Sequence, residues 1–107
     1  MHDTGLSNEE WELIRSVLAA HPELTQVKLF GSRAKGNAKP GSDIDLAFFG
    51  EVDALQAQSI RAELEALPLP YKFDVQPYAS IRQSALREHI DRIGRCICPV
   101  NLEGERG

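Results

Sequence analysis

Asp43 and Asp45 stand two residues apart in SDIDLAFF, in a run whose Ile44, Leu46 and Ala47 to Phe49 read as a strand. Strand side chains alternate faces, so the two carboxylates point one way while Ile44 and Leu46 point the other. Like charges this close repel unless a cation lies between them. Hard oxygen donors with no Cys or His nearby favour Mg²⁺ or Mn²⁺ over zinc. A third acid, Asp74 in KFDVQ, lies in another strand-like segment between Phe73 and Val75. If that strand lies beside the first, three carboxylates are available to hold two Mg²⁺ ions, the clamp of phosphoryl and nucleotidyl transfer. A turn accounts for part of the pattern, because Gly-Ser-Asp is good turn chemistry and Asp43 alone would serve as a capping residue. It does not account for Asp45 inside an apolar run.

Upstream, Gly31-Ser32 suits the other half of such chemistry. Gly31 permits a tight turn directly after a strand, leaving successive N–H groups to cradle an anion. Ser32 adds a hydroxyl, and Arg33 and Lys35 add positive charge near a phosphate. A helical turn beginning at Ser32 would aim its N-terminus at the same place. Taken singly, Ser32 also reads as a loop serine bonding its own backbone, and Arg33, Lys35 and Lys39 as solvated loop charges.

These residues need elements to position them. Ser7-Asn8-Glu9-Glu10 is a capping box, and Trp11, Ile14, Val17 and Leu18 then recur at helical spacing, predicting a helix over 8–20 that Pro22 ends. Residues 26–30 alternate as a strand, 31–41 form a loop with room for one helical turn, and 43–49 form a second strand. A helix over 53–67 ends at Pro68 and Pro70, and 71–78 is a third strand with Pro77 near its end. Ser80 or Ser84 caps a last helix whose Leu86, Ile90, Ile93 and Ile97 form one apolar stripe. On that helix His89 and Arg92 read as an exposed polar face, while Tyr71 and Tyr78 read as packing residues. Cys96 and Cys98 lack partners at zinc-site spacing and read as partly buried thiols closing the last helix. The order α-β-loop-β-α-β-α predicts an α/β (α+β) sandwich with helices on a small sheet.

The bulk properties narrow the field. A chain of 107 residues suits one domain, expected over 1–98, with a flexible tail over 99–107. The net charge of −4 argues against a large nucleic-acid surface. No apolar run approaches the ~20 residues that span a bilayer. The opening MHDTGLSNEEW lacks the marks of a signal peptide. A cytoplasmic protein is expected.

Gly31-Ser32, a ten-residue spacer from Arg33 to Ser42, and then Asp43-Ile44-Asp45 resembles the signature of the polymerase-β-like nucleotidyltransferases. Over roughly residues 8–98, with SRAKG, SDIDL and FDVQPY, the chain resembles the minimal nucleotidyltransferase (MNT) subgroup, often paired with helical HEPN-family proteins. The resemblance implies that Gly31 and Ser32 hold the β- and γ-phosphates of ATP, with Ser42 among the nucleotide-binding residues. It implies that Asp43 and Asp45 ligate Mg²⁺ and that Asp74 ligates the catalytic ion and helps deprotonate the acceptor hydroxyl. It further implies an antitoxin that transfers AMP to a tyrosine hydroxyl of a HEPN toxin. A non-catalytic binding antitoxin with a vestigial nucleotide site, and a stand-alone nucleotidyltransferase for a small molecule or an RNA end, are the alternatives.

Overall fold

The computed structural model describes residues 6–36 and 43–98. Helix α1 (Asn8–Ala19) begins at the expected capping box: the Glu10 N–H donates to Ser7 Oγ at 3.2 Å, and the Ser7 N–H donates to Glu10 Oε1 at 2.9 Å. Strand β1 (Leu24–Phe30) leads into a single helical turn, α2 (Ser32–Lys35), and the chain returns as β2 (Ile44–Gly50). Helix α3 (Ala54–Glu65) starts at a second capping box, Asp53 with Gln56. Strand β3 (Phe73–Pro77), a 3-10 turn (Tyr78–Ser80), helix α4 (Ser84–Ile93) and strand β4 (Arg95–Cys98) complete the chain.

The four strands form one mixed sheet in the order β3-β2-β1-β4. β1 pairs antiparallel with both β2 and β4, whereas β2 and β3 run parallel. The parallel pair needs a crossover, which α3 supplies. One sheet face carries Val27, Leu29, Ile44, Leu46, Phe48, Phe73 and Val75, packed under Trp11, Ile14 and Leu18 of α1 and Ala57, Ile60 and Leu64 of α3. The opposite face has a much smaller cluster of Phe30, Ala47, Ile81 and Ile90, flanked by Phe49, Tyr78 and Leu86. Period-two alternation in β2 therefore sends Ile44, Leu46 and Phe48 into the large core. It sends Asp45, Ala47 and Phe49 to the face that α4 covers.

The end of the chain departs from the expectation. The last helix stops at Ile93, and residues 95–98 form a strand on the outer edge of β1, with Leu29 opposite Arg95 and Lys28 opposite Cys96. Ile97 keeps an i+4 spacing from Ile93, so the helical stripe continues in sequence although the helix does not. Gly94 makes the break possible, since a Cβ there would run into the Ile90 carbonyl oxygen. The cysteines thus lie in β4 and do not close a helix, and Cys96 is exposed. The helix also starts differently: Gln83 is the N-cap and supplies no side-chain cap, and Ser80 belongs to the 3-10 turn. The expected tail over 99–107 lies outside the described residues. Among the described residues no helix is long and apolar enough to cross a membrane.

Candidate active site

The acids converge because of strand register. Asp45 of β2 lies directly beside Asp74 of the parallel strand β3, and Phe30 of β1 lies beside Asp45 on the other flank. Directly paired residues share a sheet face, so Asp45 and Asp74 project together from the α4 side, at the end of the sheet where β1 turns. Asp43 precedes the strand by one residue and is exposed, as is Asp74, whereas Asp45 is half-buried.

The electrostatics follow from that placement. Burial pushes the Asp45 carboxyl up to about 6 from an ordinary 3.8, and the negative charges of Asp74 and Asp43 add to the rise. The Arg33 guanidinium pulls in the other direction. Burial and the two neighbouring acids together outweigh that positive charge. Among the described residues no group of three or more His, Cys, Asp and Glu side chains forms a ready-made metal cage. Asp45 and Asp74 share a register at one end of the sheet instead, with Asp43 just before β2. That suits Mg²⁺, which commonly takes one or two carboxylates and completes its shell with waters and substrate phosphates.

Gly31 closes the site from the β1 side. Its φ of 77° lies where side-chain-bearing residues are strained, and a Cβ there would run into Asp45 Oδ2. The turn backbone is therefore packed directly against the half-buried carboxylate. Ser32 follows, exposed, as the first residue of α2. Ser42 lies outside the described residues, as does Lys39.

Two residues take positions the sequence did not suggest. Arg33 is not a solvated loop charge: it is 2% exposed, with its guanidinium 4.9 Å from the centre of the Tyr71 ring. The Tyr71 hydroxyl in turn donates to the Glu10 carboxylate, 3.3 Å from each oxygen. His89 is likewise not on an exposed polar face. Its Nε2 accepts the Gly31 N–H at 3.2 Å, and its ring meets Phe30 edge-on at 6.1 Å. One signal was available for His89, three residues after Leu86 and four before Ile93, which places it on the inward stripe of α4. Nothing comparable marks Arg33, whose burial depends on how a single helical turn seats. Lys35 and Arg92 are exposed, as expected.

Residues 12–101 match the family model described as polymerase beta, nucleotidyltransferase. The probable protein adenylyltransferase MntA of Haemophilus influenzae is 30% identical over 90 residues, covering 82% of this chain and 78% of that protein. Among solved structures, a toxin–antitoxin complex with AMP-PNP aligns with a TM-score of 0.69 at 24% identity, covering 81% of this chain and 71% of the other. A complex of the tri-AMPylated Shewanella oneidensis HEPN toxin with its MNT antitoxin aligns with a TM-score of 0.65 at 21% identity, covering 86% and 71%. The fold is the polymerase-β-like nucleotidyltransferase core, and the chain belongs to the polymerase-β nucleotidyltransferase family.

Proposed function

We propose that this chain transfers AMP from ATP to a hydroxyl, a tyrosine's, on a helical HEPN-family toxin, and that it acts in the cytoplasm as the antitoxin of that pair. The observation that carries this reading is the registered Asp45–Asp74 pair opening beside the Gly31-Ser32 turn. The adenylyltransferase named among its relatives and the AMPylated toxin in a related complex point to the same acceptor chemistry.

In this reading the Gly31-Ser32 turn holds the β- and γ-phosphates, Ser42 is among the nucleotide-binding residues, and Asp43, Asp45 and Asp74 would hold Mg²⁺, two ions in all. Bound Mg²⁺ neutralises phosphate charge and polarises the reacting phosphoryl group. Asp74, exposed on its strand, faces the incoming acceptor and takes up its hydroxyl proton. The acceptor oxygen forms a bond to the α-phosphorus, the bond to the β-phosphate bridging oxygen breaks, and pyrophosphate leaves. Asp45, half-buried and crowded by two acids, gains most from a cation and so ties nucleotide binding to metal binding.

Intact-mass analysis of the co-expressed partner tests this. Wild type should add the mass of one or more AMP groups, and Asp43→Asn and Asp45→Asn should each cut transfer by at least ~100-fold. An unmodified partner with wild type, or equal modification by the variants, would overturn it.

A further inference from the structure

The mechanism above uses the turn at Gly31 but not the residue that holds it. His89 is the only described side chain seen to accept the Gly31 N–H, and it does so from α4, across 58 residues of sequence. A backbone N–H is always the donor, so His89 Nε2 carries the lone pair and the ring proton sits on Nδ1. The ring is braced against Phe30, which lies beside Asp45 in the sheet register. Gly31 in turn abuts Asp45 Oδ2. One contact from α4 thus sets the peptide that lies between the phosphate turn and the half-buried acid.

We propose that His89 is a positioning residue of this active site, accepting the Gly31 N–H to orient the turn so that Ser32 faces the nucleotide phosphates while Gly31 stays seated on Asp45. The proposal rests on the nucleotidyl-transfer reading and adds to it a residue outside the signature. It also revises the simple picture of a turn whose amides are all free for phosphate: the Gly31 amide is engaged by the protein, and its role is to aim the rest.

Two substitutions separate positioning from packing. Leu in His89→Leu fills the space against Phe30 but accepts nothing, while Gln in His89→Gln restores an acceptor near Nε2 and packs less well. If His89 only packs, Leu is the better replacement. If it positions, the order reverses: H89L should lose ~10-fold in kcat for AMP transfer to the co-purified partner, with KM for Mg-ATP changed less. H89Q should recover most of that loss. Nuclear magnetic resonance checks the contact without nucleotide. Wild type should show ¹⁵N–¹⁵N coupling between Gly31 N and His89 Nε2, and slow exchange of the Gly31 amide that H89L accelerates and H89Q preserves. No coupling, or H89L turning over like wild type, overturns the proposal. Failure of the underlying reading has a different signature, in which wild type transfers no AMP while the coupling persists; that would overturn the role and leave only the contact.

Discussion

The two faces of the sheet are built from the same strands and obey opposite rules. On the α1/α3 face, residues such as Ile14, Leu29, Ile44, Leu46, Ile60 and Leu64 are fully buried in one apolar cluster. On the α4 face, Phe30 and Ala47 lie beside Asp45 and Asp74, and cover comes from Ile81, Tyr78 and one short helix with a single fully buried residue, Ile90. That asymmetry lets so small a domain sustain an unfavourable site. Stability is concentrated on one face, so the other can hold like charges side by side and leave room for substrate. β2 shows the division in one strand, with Ile44, Leu46 and Phe48 on one side and Asp45 on the other.

Phe48→Ala should break the stable side with the largest effect. Its side chain is 1% exposed in the large core, and truncation should cost ~3–5 kcal/mol, read as a shift of the urea midpoint. Whatever remains folded at low temperature should still transfer AMP at a rate close to wild type. A loss below ~1 kcal/mol would mean the stabilising weight does not lie on that face.

The sign should reverse across the sheet. Asp45 has its carboxyl raised to about 6 by burial and then by Asp74 and Asp43. An acid raised in the folded state contributes stability that is fully present below its ordinary value near 3.8 and lost as pH rises through about 6. Without divalent metal at pH 7, Asp45→Asn should therefore melt higher than wild type. Discounted for the solvent screening of a half-buried group, the gain is about 1 kcal/mol, or ~4 °C. That gap should narrow as pH falls through about 6 and vanish below 3.8. Mg²⁺ should raise the melting temperature of wild type but not of the variant. A variant that melts lower than wild type at pH 7 would show that the charge is structural.

Much of this division was legible in the sequence. The alternation of Asp43-Ile44-Asp45-Leu46 sets the two faces apart, and the Ser7/Glu10 capping box locates α1. The pairing of Asp45 with Asp74 was legible only as a condition, because register between strands separated by a helix is decided by packing. β4 was hidden by an apolar spacing that fits a helix as well as an edge strand, with Gly94 the one residue that breaks the ambiguity. Arg33 and His89 were hidden for a different reason. Their type suggested solvent; the spacing of α4 marks the inward face of His89, whereas the burial of Arg33 depends on how α2 seats against the sheet.

The smallest effect concerns the link between the faces. Arg33 stands behind the acids, where its charge lowers the Asp45 pKa, and its guanidinium lies over the Tyr71 ring. Tyr71 reaches Glu10 at the start of α1. Burial, then the Glu10 carboxylate, holds the Tyr71 phenol above its usual pKa against the pull of Arg33. Tyr71→Phe keeps the ring under Arg33 and removes only the hydroxyl. It should cost ~0.5–1 kcal/mol in a urea titration and leave AMP transfer within about 2-fold of wild type, because the ring stays under the guanidinium. A larger loss of activity than of stability would show that the Glu10 contact itself sets Arg33, and that the site draws on α1 as directly as it does on the strands.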